Sequence, residues 1–216
     1  VTSDALLGST RAILTWSDLN GVNYAMYGTN KKLYAYSEGS YGDITPTRGT
    51  GSITQFATTN ASTTVTVTDA SHGALIGDHV TISSVSAAVG GITQANLQNE
   101  FEIQTATDDN TYTIVSPAAA TSTTTGATAT ATYEINSGPA VSIYGYGWGA
   151  SVWDSTGDSD KGTWNNTREG LTGAQEVILK AEKWSLDTWG EDVLAQKFDG
   201  GIYYWDTSAG LSSNVA

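Results

Sequence analysis

The sequence predicts an all-β chain: a discontinuous antiparallel, partly propeller-like host domain with a small β-barrel or sandwich module inserted into it. Three observations carry that expectation. There are 24 Gly against 3 Pro and a charged fraction of only 14%, a mix that suits turn-rich β-structure and not helical bundles. Apolar residues alternate with Thr and Ser in short runs bounded by Gly, Asp and Asn, which is the period of half-buried strands. Composition also breaks sharply along the chain. All nine Lys and Arg and all seven Trp lie outside residues 49–135. Inside are seven acidic residues, Asp69, Asp78, Glu100, Glu102, Asp108, Asp109 and Glu134, and no cation. That contrast marks a host domain of residues 1–48 and 136–216 and an inserted module of residues 49–135.

Taken in order, "DALLGSTRAILTW" (4–16) fits helix or strand equally. "NYAMYG" (23–28) alternates, and "TNKKLYAYSEG" (29–39) follows as a turn and a strand with aromatics on both faces,. In the module, Val65 and Val67 alternate with threonines, as do Val80 and Ile82 with polar neighbours. Phe101 and Ile103 lead to a turn at Asp108-Asp109-Asn110, then Tyr112 and Ile114 resume, and "GATATATYEI" (126–135) closes the set,. "TGAQEVILKAEKW" (172–184) is again helix or strand, and "DVLAQKF" (192–198) precedes "FDGGIYYWDTSAG" (198–210).

The host segments resemble one another. Leu33 aligns with Ile202, Tyr34 with Tyr203 and Tyr36 with Trp205, and "SIYGYGWGASVWD" (142–154) reads as an intermediate copy. With the insert removed, the outer copies stand roughly two propeller blades apart, at about 40–45 residues per blade. Strands with aromatics on both faces need cover on both sides, so Trp16, Tyr34, Tyr36, Trp148, Trp153, Trp184, Trp189, Tyr203 and Trp205 are expected as packing and interface residues. A ring of about 4 to 8 blades is not completed by two or three copies. Further chain or further subunits are expected to finish it.

The net charge of −13 opposes binding to nucleic acid or anionic membrane,. No cysteine is present, which removes disulfides, thiolate zinc sites and cysteine nucleophiles, and leaves the redox compartment unread,. No apolar run of about 18 residues exists to span a bilayer as a helix. The N-terminus does not have the form of a signal peptide, and the absent initiator Met suggests a processed chain or a piece of a longer one. There is no G-x-S-x-G, P-loop or dinucleotide fingerprint. The N-x-[ST] matches at Asn60 and Asn165 are expected by chance. From these absences the chain is expected to be no enzyme, with no catalytic residue and no cofactor.

Several clusters have two readings. Asp69, His72, Asp78 and His79 crowd "TVTVTDASHGALIGDHVTISS" (64–84); a metal needs three or more converging ligands, and a polar turn is the expected reading. Asp154, Asp158 and Asp160 suit a calcium loop or a solvated one. Tyr144, Tyr146 and Trp148, interleaved with glycine, form either a sugar-stacking platform or packing between blades. The pairs Glu191–Asp192 and Asp187–Glu191 have the residue types of glycosidase acids, but 22 acidic residues make such pairs common,.

Thr-Asp-Ala-Ser-His-Gly (68–73), Gly77-Asp78-x-Val80, Gly90-Gly91 and "TDDNTYTI" (107–114) together resemble the small β-module of the first catalytic-cysteine half-domain of ubiquitin-activating enzymes. Relatives of that module occur as inserts in tailed-bacteriophage virion proteins; without cysteine, no thioester chemistry carries over. "KWSLDTWGEDVLAQKFDGGIYYWDTSAG" (183–210) and "YGTNKKLYAYSEGSYGDITP" (27–46) are similar to phage tail proteins of the propeller-like nozzle or hub type. The resemblance implies a structural virion component acting in tail assembly, with copies of itself and other tail proteins as partners. The alternatives are an adhesin for host-surface glycans and a depolymerase-type hydrolase.

Overall fold

The structure, a computed structural model, describes residues 6–135, 183–197 and 200–211. By its internal contacts the chain divides into residues 1–140 with 182–216, to which all the described residues belong, and residues 141–181, which lie outside the described residues.

Strands β1 (Thr10–Ser17), β2 (Asn23–Thr29), β3 (Leu33–Ser37) and β4 (Ser40–Asp43) form an antiparallel meander in that order. Each turn has a local cause. Asp18 Oδ1 accepts the N–H groups of Asn20 and Val22 at 2.9 and 2.8 Å, closing the β1–β2 connection. Thr29 Oγ1 does the same for Lys31 and Lys32. Between β3 and β4, Glu38 and Gly39 both take positive φ, 50° and 88°, as a two-residue hairpin that follows the strand twist requires. Register then sorts the side chains. Leu14, Met26 and Ala35 stand abreast on one face, while Ile13, Tyr27 and Tyr34 stand abreast on the other.

The next strands are β5 (Thr47–Thr58), β6 (Thr64–Asp69), β7 (His79–Ser83), β8 (Glu100–Glu102), β9 (Thr105–Asp108), β10 (Thr111–Val115), β11 (Thr124–Gly126) and β12 (Ala129–Glu134), with one short helix, α1 (Gln94–Leu97), capped by Thr93. They form one eight-stranded sheet ordered β8-β7-β12-β5-β6-β10-β9, with β11 beside β5. The sheet curls so that β8 approaches β10. The alternating residues Val65, Val67, Val80, Ile82, Tyr112, Ile114 and Ala131 point inward and, with Phe56, Ile92, Leu97 and Ile103, make one core. At Asp108 the expected turn is present: its Oδ1 accepts the N–H groups of Asn110 and Thr111 at 2.8 and 2.7 Å.

Strands β13 (Trp184–Trp189), β14 (Asp192–Lys197) and β15 (Ile202–Trp205) form a third antiparallel meander, followed by a 3-10 turn at Thr207–Ala209 capped by Asp206. This sheet packs face to face on the first. Met26, Leu33, Ala35, Ile44, Trp184, Val193, Ala195 and Trp205 share the second core. Gly28 is what allows the closest approach. A Cβ there would lie 2.5 Å from the Trp184 ring, whose Nε1–H donates to the Thr29 carbonyl at 3.0 Å.

The all-β class therefore stands, built from antiparallel meanders of the kind that make propeller blades. The ambiguous N-terminal stretch is strand from Thr10 onward. Of residues 172–184 and the supposed copy at 142–154, only Lys183 and Trp184 are described. The internal alignment needs a correction of one residue. Leu33 is buried whereas Ile202 is exposed, and Tyr34 lies on the outer face whereas Tyr203 packs toward the core. Pairing Leu33 with Tyr203 and Ala35 with Trp205 matches inward to inward, since a single-residue slip exchanges the faces of a strand.

Candidate functional site

The four residues of the 64–84 cluster do not converge; each serves a separate part of the barrel. Asp69 Oδ2 accepts the Tyr133 hydroxyl at 2.6 Å and its Oδ1 accepts the Ser52 N–H at 3.2 Å. Burial, reinforced by Tyr112 and by the bond to Asp69, keeps the Tyr133 phenol protonated well above its ordinary range. His72 pins a turn: Nδ1 accepts from the Ala74 N–H at 2.9 Å, leaving Nε2–H to donate to the Asp108 carbonyl at 3.1 Å. Asp78 Oδ2 accepts from the Leu75 N–H at 2.9 Å, with Arg48 at 3.8 Å, and burial raises its carboxyl above the usual range. His79 is elsewhere, on the outer wall of the barrel.

There the structure assembles something that sequence spacing does not show. The buried Lys32 ammonium reaches out from the β2–β3 turn and is held by Asp43 at 2.7 Å, by Glu134 at 2.8 Å and by Glu100. Burial works against its charge, but the carboxylates of Glu134 and Asp43 outweigh that and raise its pKa. Glu134 shows the counter-effect. Burial pushes it up to about 7, against the opposing pull of Lys32. His79 stands beside them with its pKa lowered by burial and by Lys32. Next to this cluster Lys31 pairs with Glu102 at 3.1 Å, and Arg48 lies 4.7 Å over the Tyr133 ring. Residues 49–135, which contain no Lys or Arg, thus take counter-charges from residues 31, 32 and 48.

A second feature is an acidic cleft of about 280 Å³ where the two meanders meet, lined by Asp18, Tyr24, Glu191, Asp192 and Asp206 among others. Its carboxylates are held by the chain's own donors. Glu191 accepts from the Leu19 N–H at 3.2 Å and Asp192 from the Thr207 N–H at 2.9 Å. Asp206 accepts from the Ser208 hydroxyl and N–H, which holds its pKa below the usual range. The Tyr204 hydroxyl donates to Asp192, which pushes the phenol up to about 12.

The expected packing residues divide by face. Trp16 stacks on Tyr24 with centroids 5.3 Å apart, and both meet Trp205 edge-on. Trp184 and Tyr203 join the same core. Tyr34, Tyr36 and Trp189 are on outer faces; Tyr36 contacts Tyr41 at 4.7 Å and Trp189 is 68% exposed. Trp148 and Trp153, the glycan candidates Tyr144 and Tyr146, and the calcium candidates Asp154, Asp158 and Asp160 lie outside the described residues. Lys32, Asp43, Glu100 and Glu134 carried no signal beyond their charge, because they meet only through the tertiary fold.

No family model matches the chain, so the resemblance to the ubiquitin-activating half-domain has no family match behind it. No curated protein matches either. Among solved structures the chain is similar to the Phage phi92 endosialidase, with a TM-score of 0.34 and 15% identity over 97% of this chain and 32% of that one. The chain thus spans about a third of the length of that protein. The similarity assigns no activity here, but it corrects the expectation that the chain is no enzyme. That expectation rested on missing motifs, and the neighbour carries the name of an enzyme.

Proposed function

We propose that the chain is a structural part of a tailed-phage virion, acting in the tail, where its meanders pack against further copies or neighbouring tail proteins. One observation carries the reading. The two meanders cover each other's inner faces, yet both outer faces still present large apolar groups: Ile13 at 62%, Tyr41 at 45%, Trp189 at 68% and Ile202 at 68% exposure. A two-layer domain that works alone turns polar residues to water on its outer faces, whereas stacked units bury the second face as well. In this reading residues 49–135 are the inserted module, projecting from the stack with its threonine-rich wall outward. Sedimentation of the full-length gene product at rising concentration, with mass spectrometry of purified particles, tests it. Self-association weakened by Trp189→Ala together with Tyr41→Ala is expected; a protein that stays monomeric and is absent from particles sinks the proposal.

A second reading is glycan binding at the acidic cleft, favoured by the Tyr24 ring beside carboxylates that would accept sugar hydroxyl donors,. Binding on a glycan array, lost in Glu191→Gln at unchanged melting temperature, would support it.

A further inference from the structure

The β3–β4 hairpin brings Asp43 back into register with Tyr34, two residues beyond Lys32 in the β2–β3 turn. Thr29 Oγ1 fixes that turn by accepting the Lys32 N–H at 2.8 Å. The Lys32 side chain, 1% exposed, then ends with Nζ 2.7 Å from Asp43 Oδ2. The other carboxyl oxygen, Asp43 Oδ1, accepts both the N–H and the hydroxyl of Thr45, at 3.0 and 2.6 Å. Both oxygens of Glu134 stand 2.8 Å from the same ammonium.

Together these groups have the parts of an acyl-transfer site. A lysine amine is a nucleophile once it gives up a proton, and a carboxyl carbon is its electrophile. Donors fixed on one carboxyl oxygen stabilise the negative charge that develops there as the carbon becomes tetrahedral. A group titrating near neutrality moves protons best, and burial pushes the Glu134 carboxyl up to about 7 against the pull of Lys32. Contact inside a fixed frame also replaces a bimolecular encounter, with an effective concentration that reaches about 10⁵–10⁸ M in well-oriented cases. The neighbouring Lys31–Glu102 pair differs, because its side chains are 30% and 35% exposed and water solvates both ions.

We propose that Lys32 Nζ and Asp43 Cγ condense into an intramolecular amide, with Thr45 holding the oxyanion and Glu134 relaying a proton. Nζ first gives one proton to Asp43 Oδ2, which leaves an amine beside a neutral carboxyl group. The amine lone pair forms the Nζ–Cγ bond, and the C=O electrons move onto Oδ1 against the Thr45 donors. Glu134 takes a second proton from Nζ and returns one to Oδ2. The Cγ–Oδ2 bond then breaks with its electron pair and Oδ2 departs as water. One ammonium and one carboxylate become one amide and one water, with no oxidant or co-reactant. Asp43 is 32% exposed at its side chain, which gives the water a way out. The amide also removes two charges from a site where burial penalises the ammonium. Glu134, without the ammonium that opposed its protonation, stays neutral, and Glu100, 39% exposed at its side chain, turns to solvent. A chain without cysteine thereby gains a cross-link that reduction does not open.

The test is intact-mass spectrometry of the full chain after folding at neutral pH, followed by tryptic mapping. A mass one water below that of the sequence is expected. Trypsin should leave residues 32–48 as a single cyclic peptide, lighter by that same water and uncut after Lys32. Asp43→Ala and Glu134→Gln should each keep the full sequence mass. A native chain at its full sequence mass overturns the proposal, and this measurement does not depend on any variant folding. Loss of water mapped to any pair other than Lys32 and Asp43 overturns it too. So does an unchanged loss of water in Glu134→Gln whose circular dichroism matches the native chain.

Discussion

Lys32 Nζ stands 2.8 Å from the Glu134 carboxylate, 102 residues further along the chain. This pair, with Asp43 and Glu100, ties the β2–β3 turn to the ends of β8 and β12. It joins the two parts of the chain that composition separates most sharply.

Replacing Lys32 with Met should therefore destabilise the chain strongly. Removing one side of a buried ionic cluster leaves its carboxylates uncompensated, at about 3–5 kcal/mol. Urea unfolding with an unchanged slope and a lowered midpoint is the expected result. A loss below about 1 kcal/mol, the range of exposed pairs, would show that the cluster contributes little.

Gly28→Ala tests the contact between the meanders. The added methyl falls 2.5 Å from the Trp184 ring, and overpacking of that kind costs about 1–3 kcal/mol. Tryptophan fluorescence should shift as Trp184 moves. Gly126→Ala is the control: a Cβ there meets nothing within 4 Å, and its effect should stay within about 0.5 kcal/mol.

Tyr133→Phe removes the hydroxyl that donates to Asp69 at 2.6 Å. Asp69 is 2% exposed, so its oxygen loses a partner where water does not easily replace it, costing about 1–3 kcal/mol. Thermal unfolding measures the loss, and Tyr112→Phe should cost less because it leaves that bond in place.

Acid sensitivity should follow Asp108. The N–H of Asn110, then the hydroxyl and N–H of Thr111, hold its carboxyl below the usual range. A depressed folded-state pKa stabilises at pH above the unfolded value of about 3.9 and is lost as pH falls through the folded value. Asp108→Asn should flatten the drop in melting temperature below about pH 4 relative to the native chain. An equally steep drop would remove Asp108 as a cause.

Much of the barrel was legible because its signals are local. Val65 and Val67, Val80 and Ile82, and Tyr112 and Ile114 alternate with polar residues and all point inward. The Asp108 turn needs only groups within three residues of each other. The N-terminal stretch was not legible, since "RAILTW" satisfies both periods and only pairing with β2 decides it. The repeat slipped by one residue because aromatics occupy both faces of β3 and β15, so similarity alone does not say which one turns inward.

The sequence by itself determined the all-β class, the strands and the Asp108 turn of the barrel, and that residues 49–135 carry acids without cations, because alternation, turn chemistry and composition are properties of neighbours along the chain. Only the tertiary structure decided which cations answer those acids, that Gly28 receives Trp184, and that His79 joins Glu100 and Glu134 instead of His72. Those pairings depend on strand order and on which face each residue takes. Both are fixed when the sheets close and water is excluded, and no spacing in the sequence records them.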